Sequence, residues 1–457
     1  MASRRPAKPR STPSADRSSA VGQLRFGTDG VRGRAFEELS TDYVASLGRA
    51  AAEVLGAGEW LVGRDTRESG PALEQALIDG LHSGGARPLR TGVLPTPALA
   101  HLSARHRTRA AMITASHNPY RDNGVKIFAT GGQKLTDDIE RALEAALAHP
   151  KHPGAGHPDL VLSTAIEEYC EFVVQGSSSG SLHGLRIVLD CANGAMFEAA
   201  PQVARTLGAD VVVIHAEPNG RNINDHCGAT HPADLRRAVV EHAADLGLAF
   251  DGDGDRVIAV DHLGNIVDGD RMIALAALQL RDEGQLTNDT VVVTVMSNLG
   301  FHKAMHTAGV SVVTTPVGDR SVLEALEAGD YAVGGEQSGH IIYRHLATTG
   351  DGLLAGVRLA AYVRSTARPL ADLAGNVMTS YPQVLVNVTV AHRHPRVATE
   401  LAAEIAAAEA LLDGEGRILV RPSGTEPLIR VMVEAATQSL AETTADSLAE
   451  VVFARFG

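Results

Sequence analysis

The sequence predicts an α/β protein of several domains, and three observations carry that reading. Short β-rich runs alternate with longer helical ones from Leu24 onward, the pattern of α/β units with largely parallel sheets. The length of 457 residues corresponds to about three domains, loosely two to four. Apolar residues make up 44% of the chain and charged residues 21%, an ordinary globular balance with ample core.

The elements follow in order. Strands are predicted at Trp60–Val62, Ala110–Ile113, Val125–Phe128, Arg186–Leu189, Val211–Ile214 and Val257–Val260, then at Thr290–Val295, Val310–Thr314, Val384–Val390 and Ile418–Val420. Each is short and rich in β-branched or bulky apolar residues. Helices are predicted at Asp42–Leu55, Pro71–Ser83, Asp137–Leu147 and Ala233–Asp245. The Gly- and Ser-rich run 176–180 precedes a fresh strand and marks a boundary before Ser181; Arg368–Pro369 and Ser380–Pro382 mark another. After it comes a compact unit of strand, helix, two strands and helix, ending at Phe456. Residues 1–22 have almost nothing apolar to bury and read as a disordered tail.

Charge and cysteine content exclude several function classes. The chain carries 41 basic and 54 acidic residues, a net of −13. Six of the basic residues lie in 1–25, so the body is more acidic still, and no basic domain suited to nucleic acid appears. No apolar run reaches the 18 or so residues that span a bilayer, so no membrane partner is expected. The three cysteines, Cys170, Cys191 and Cys227, form no C-x-x-C pair. They read as buried free thiols in a reducing compartment, and a cytoplasmic location follows.

Five polar, glycine-punctuated segments fall at predicted strand ends, where α/β sheets place their ligands. In Thr114–Phe128, a strand runs into Ser116, His117 and Asn118, and Pro119 prevents simple continuation. Ser116 is thereby offered on a loop as nucleophile or phosphate carrier. Lys126 lies close enough to return to that pocket, or is a surface lysine at a strand edge. In Asp251-Gly-Asp-Gly-Asp255, three carboxylates recur at every second residue, and the glycines let the loop curl until they converge. Carboxylates about 4 Å apart repel by about 4 kcal/mol per pair at an effective dielectric near 20. A bound Mg²⁺ relieves this. An EF-hand fails, because its required Gly and Glu would fall on Arg256 and His262.

Arg421–Arg430 holds Ser423, Gly424 and Thr425, whose backbone N–H groups can form an anion nest between two guanidinium groups. Gly334–His340 presents Glu336, Ser338 and His340, groups able to read sugar hydroxyls. Near the N-terminus, Arg32, Arg64 and Arg67 either complement an anion or form surface salt bridges.

Taken together and in this order, these segments resemble the α-D-phosphohexomutase superfamily, over nearly the whole chain from Phe26. Thr114–Pro119 is similar to its phosphoserine loop, Asp251–Arg256 to its magnesium loop, Gly335–His340 to its sugar loop and Arg421–Arg430 to its phosphate loop. Four segments point to the phosphoglucosamine mutases within it: Phe26–Gly33, Asn222–Thr230, Val317–Arg320 and Glu336–His340. The resemblance implies three related α/β domains and a smaller C-terminal α+β domain around a central cleft, at 23–165, 166–265, 266–378 and 379–457.

It implies interconversion of glucosamine 6-phosphate and glucosamine 1-phosphate through a 1,6-bisphosphate, feeding UDP-N-acetylglucosamine synthesis. It further implies an activating phosphate on Ser116 and one Mg²⁺ per chain, held by Ser116, Asp251, Asp253 and Asp255. The implied catalytic residues are Ser116, Lys126, Arg32, His117 and His340. The implied substrate-binding residues are Glu336, Ser338, Arg421, Ser423, Gly424, Thr425, Arg430 and Arg256. The implied partner is a small sugar phosphate, with homodimerisation left open. The alternatives are a phosphomannomutase/phosphoglucomutase and a silent sugar-phosphate-binding protein.

Overall fold

The computed structural model describes residues 24, 27, 30–147, 160–177, 180–423 and 427–457. The predicted tail at 1–22, and Gly424 and Thr425 of the phosphate segment, lie outside the described residues. Four sheets follow one another along the chain. The first has the order Val31–Arg34, Asp122–Ala129, Arg109–Ile113, Glu59–Arg64, Arg87–Val93, Leu160–Val161, with Gln133–Lys134 also paired to Asp122–Ala129. The second runs Ile266–Val267, Val257–Asp261, Leu246–Phe250, Arg186–Asp190, Asp210–Ile214, and the third Ser311–Thr315, Thr290–Thr294, Val333–Gly335, Ile341–Tyr343. The fourth is antiparallel: Gln383–Thr389, Leu428–Glu434, Arg417–Pro422. The strand–helix–two strands–helix order expected of the last unit is present except that its first helix is two, Val397–Glu400 and Ala402–Leu411, and it is closed by the helix Gln438–Phe456.

The expectation of largely parallel sheets needs correction. In each of the first three sheets, parallel pairing stops at one place. Arg109–Ile113 passes through a polar loop into antiparallel Asp122–Ala129. Leu246–Phe250 does so into Val257–Asp261, and Val333–Gly335 into Ile341–Tyr343. The connecting loops are short, and a parallel crossover needs about a dozen residues or more. Three of the polar segments thus share one topological position, at the strand end where pairing reverses. Single strands of the sequence could not display this recurrence.

Other differences are local. The helix expected over Ala233–Asp245 ends at Glu241, because Ala243 turns left-handed (φ 47°) to enter the strand at Leu246. The strand Arg87–Val93 contains Pro88 and two arginines, so it lacks the apolar signature of its neighbours. The strand Ile266–Val267 carries the second sheet just past residue 265, the expected end of that domain.

The helix Gly352–Thr366 joins the second and third sheets. Leu353, Leu354, Val357 and Ala360 on it are fully or almost fully buried. Asp351 caps it: its Oδ1 accepts from the Leu354 N–H at 2.9 Å and from the Tyr169 hydroxyl at 2.9 Å. Such a cap is worth about 1 kcal/mol. Cys170, Cys191 and Cys227 are free and buried, with thiols pushed well up by desolvation. No helix among the described residues is long and apolar enough to cross a membrane.

Candidate active site

The three strand-end loops meet. Ser116 sits in the left-handed region (φ 52°) and is 1% exposed. Its hydroxyl donates to Asp251 Oδ2 at 2.6 Å. Its N–H donates to Thr114 Oγ1 at 2.9 Å, and its carbonyl receives Arg67 Nη2 and Asn224 Nδ2, each at 2.9 Å. Gly252 is needed where the second loop approaches, since a Cβ there would lie 2.6 Å from the Ser116 carbonyl oxygen.

Asp251, Asp253 and Asp255 converge, each offering a carboxylate oxygen within 4.8 Å of the others, and all three are buried. Lys126, read from sequence as either surface or site, is buried and donates to Asp253 Oδ2 and Asp255 Oδ2, both at 2.8 Å. Thr96 adds a hydroxyl hydrogen bond to Asp253 Oδ2 at 2.6 Å. Burial and the charges of Asp255 and Asp253 raise the Asp251 carboxyl above the usual range. Asp255 moves the other way, because Lys126, His340 and Arg256 outweigh its burial.

His340 enters from the third sheet and is 2% exposed. Its Nδ1 is 3.7 Å from Asp255 Oδ1. Desolvation would lower its pKa, but Asp255 and Asp319 raise it overall. His117 is pushed down to about 4 by burial and by Arg256 and Arg32, so it is neutral at pH 7. That repulsion places both guanidinium groups near the Ser116 loop. Arg32 lies on the first sheet's edge strand, paired with Gly124. Glu336 accepts from the Gly318 N–H at 3.1 Å, and Ser338 is exposed. Gly339 has φ 91°, and a Cβ there would collide with the Val257 carbonyl. This lets the sugar loop close against the metal loop, where the Val257 N–H donates to the Gly339 carbonyl at 3.1 Å.

The phosphate segment is built differently. Arg421 and Arg430 are direct cross-strand partners, and burial together with Arg430 lowers the Arg421 pKa. The buried Arg430 Nε has no hydrogen-bond partner. The Ser423 N–H closes the turn onto the Leu428 carbonyl at 2.9 Å.

One expectation near the N-terminus is corrected. Arg67 is neither an anion ligand nor a surface ion pair. It is 1% exposed, pairs with Asp65 at 2.8 Å and donates to the carbonyls of Ser116, Asn118, Pro119 and Asp122. It clamps the Ser116 loop, because a buried guanidinium with five donors has to satisfy them. Arg64 faces Glu74 at 3.4 Å. Thr96 lies in none of the segments read from the sequence, and Asn224 lies in Asn222–Thr230, to which no role was given. Thr96 had one signal, its place between two prolines at a strand-to-helix junction.

Comparison with known proteins fits this geometry. Models of the phosphoglucomutase/phosphomannomutase α/β/α domains I, II and III match residues 23–153, 167–264 and 268–381, and that of the C-terminal domain matches 385–451. The phosphoglucosamine mutase of Frankia alni is 51% identical over 93% of this chain and 97% of its own. The chain belongs to the phosphoglucosamine mutases, within the α-D-phosphohexomutase superfamily. The phosphoglucosamine mutase of Mycolicibacterium paratuberculosis is 50% identical over 95% of this chain and 100% of its own. Among solved structures, a Burkholderia thailandensis phosphoglucomutase/phosphomannomutase family protein aligns with TM-score 0.81 at 23% identity, covering 95% of this chain and 98% of its own. The Aspergillus fumigatus N-acetylphosphoglucosamine mutase, in complex with GlcNAc-6P and magnesium, aligns with TM-score 0.71 at 19% identity, covering 95% and 96%. These two likenesses show the shared fold of the superfamily.

Proposed function

We infer that the chain interconverts glucosamine 6-phosphate and glucosamine 1-phosphate, with Ser116 as the phosphoryl carrier and a 1,6-bisphosphate as intermediate. One observation carries the chemical part: the Ser116 hydroxyl lies 2.6 Å from the buried carboxylate triad. The donor set fits a hard divalent cation. Asp253 Oδ1 and Asp255 Oδ1 are buried without a hydrogen-bond partner, and three carboxylate oxygens suit Mg²⁺. When bound, Mg²⁺ would neutralise charge on the phosphoryl group.

The protein's own residues supply the remainder. Arg67, Thr114 and Asn224 hold the Ser116 backbone, which fixes the attacking or leaving oxygen. In-line transfer depends on such placement and on charge neutralisation. Arg256 and Arg32 add positive charge beside the loop. Lys126 and His340 take and return the sugar hydroxyl proton, with His117 neutral next to Ser116. Glu336 and Ser338 read the ring hydroxyls. Arg421, Ser423, Gly424, Thr425 and Arg430 hold the phosphate that is not reacting, and the bisphosphate turns round between half-reactions. We also propose domains at 23–165, 166–267, 268–378 and 379–457, the second lengthened to include its last strand.

A coupled assay on fully phosphorylated enzyme with the 6-phosphates of glucosamine, glucose and mannose tests this reading. Glucosamine 6-phosphate is expected to lead in kcat/KM by at least about tenfold, or about 1.4 kcal/mol of transition-state stabilisation. Equal or better values for glucose or mannose 6-phosphate would make the chain a phosphomannomutase/phosphoglucomutase.

A further inference from the structure

The segment Val317–Arg320 was singled out in the sequence, and the roles assigned so far do not use it. We propose that Asp319 is a positioning residue that acts through His340, anchored across the first and third domains by Lys134. The proposal rests on the mutase reading above for the role of His340.

The contacts form one line through three domains. Lys134, on a short strand of the first sheet, makes an ion pair with Asp319 Oδ2. That same oxygen stands 3.6 Å from His340 Nε2. On the far side of the ring, Nδ1 faces Asp255 Oδ1 at 3.7 Å, and Asp255 Oδ2 receives Lys126 at 2.8 Å. Lys134, Asp319 and His340 have side chains 10%, 9% and 3% exposed, respectively. Charges this sheltered are weakly screened and orient one another strongly.

The ring has little freedom otherwise. Its Nε2 accepts from the Gly350 N–H at 3.0 Å, and a Cβ on Gly350 would lie 2.5 Å from it. The Gly350 N–H therefore fixes the ring by its hydrogen bond, while the two carboxylates, at 3.6 and 3.7 Å, act on it through their charge. Removing Asp319 would take away one of the two carboxylates and leave Lys134 buried beside the ring.

Asp319 also has a plain structural task. It opens the helix Asp319–Gly329, and its Oδ1 accepts from the Arg320 N–H at 2.7 Å. Arg320 in turn bridges to Asp137 at 2.7 Å and to Glu140 in the first domain. The test must separate positioning from helix-end and seam stability. Asp319→Asn does so, because its side-chain oxygen can still serve the Arg320 N–H while the charge facing His340 is lost.

The experiment is a double-mutant cycle on the phosphorylated, Mg²⁺-loaded full chain, using Asp319→Asn, His340→Asn and the double variant. It is read on whichever hexose 6-phosphate the wild type turns over fastest, so a wrong substrate assignment does not affect it. Asp319→Asn is expected to lower kcat by about tenfold or more with KM within about twofold, the split expected for a group acting only on the chemical step. In the His340→Asn background the same change is expected to cost almost nothing, since contacting residues that act as a unit are not additive. Wild-type kcat in Asp319→Asn, or the same loss in both backgrounds, would overturn the proposal. A readout independent of turnover is the ¹⁵N spectrum of histidine-labelled chain, with the His340 ring assigned by its disappearance in His340→Asn. Its ring signals are expected to move in Asp319→Asn and in Lys134→Met; unchanged signals in both would also overturn the proposal.

Discussion

The two ends of the candidate site handle charge in opposite ways. Around Ser116, opposite charges are interleaved before any ligand arrives. Lys126 bridges Asp253 and Asp255, and the Ser116 hydroxyl serves Asp251. On the fourth sheet, two guanidinium groups face each other across a strand pair, and burial lowers the pKa of Arg421. Like charges directly opposite destabilise a sheet. The first arrangement is built for a reacting group held in one geometry. The second becomes favourable only when an anion enters, which suits the role proposed for it, releasing and recapturing a phosphate as the bisphosphate turns.

The sharpest way to break this contrast is Ser116→Ala. It removes the proposed phosphoryl carrier, with its hydroxyl's hydrogen bonds to Asp251 at 2.6 Å and His117 Nδ1 at 3.4 Å. Turnover is expected to fall by at least about 10³-fold, a barrier increase of about 4 kcal/mol. The melting temperature is expected to stay near wild type. Near-normal turnover in a clean preparation would remove Ser116 from the mechanism.

Asp253→Asn tests the cation end of the same cluster. It keeps the side-chain shape, with the amide oriented so that its oxygen still accepts from Lys126 and Thr96. We expect about 10²-fold less turnover, comparable to losing a major electrostatic contributor, and Mg²⁺ content below one ion per chain by elemental analysis. Full metal content with full activity would remove Asp253 from the set of metal ligands.

Arg421→Met tests the other end and has opposite signs for stability and function. Relieving the pair with Arg430 is expected to stabilise the unliganded chain by about 0.5 kcal/mol, within the range of cross-strand pairs. It is also expected to raise KM for the sugar phosphate by about tenfold, the cost of one charge-assisted phosphate contact. A destabilised variant with unchanged KM would mean the two arginines are structural.

The smallest effect is expected at the seam between the third and fourth domains. Asp270 accepts from the Asn298 N–H at 2.8 Å, and Asn298 in turn donates to the Tyr381 carbonyl at 2.9 Å. Burial raises the Asp270 carboxyl from 3.8 to about 7. Its contribution to stability is therefore fully present below about pH 4 and lost as pH rises toward about 7, because the unfolded chain releases that proton first. Asp270→Asn is expected to raise the melting temperature at pH 8 by about one degree, about 1 kcal/mol in a chain of this size, and to change it little at pH 4. A drop at pH 8 would show that the ionised carboxylate holds the seam.

Much of this was readable from the residues. The three carboxylates at every second position pointed to a cation site, and the loop glycines allowed them to converge. Pro119 required Ser116 to leave its strand, and the strand–helix order of the last unit followed from its pattern. Other features left little trace. Arg64 and Arg67 lie three residues apart in the same segment, yet Arg67 became a buried clamp and Arg64 a half-buried ion pair with Glu74. A charged side chain does not reveal which carbonyls will surround it. Lys126 could have been a surface lysine until the antiparallel return of its strand brought it against the second sheet's loop.

The sequence by itself determined the chemistry carried by each loop and the strand end that carries it, because both depend on residues adjacent in the chain. Tertiary structure alone decided that three loops from three sheets share one point, and that Thr96, Asn224 and Asp319 join them. Those contacts span separations such as 157 residues between Thr96 and Asp253 and 108 between Asn224 and Ser116. Only the packing of the first domain's loops against those of the second sets such distances. Local propensity and periodicity extend over about a dozen residues and carry no information about which distant loop will lie opposite.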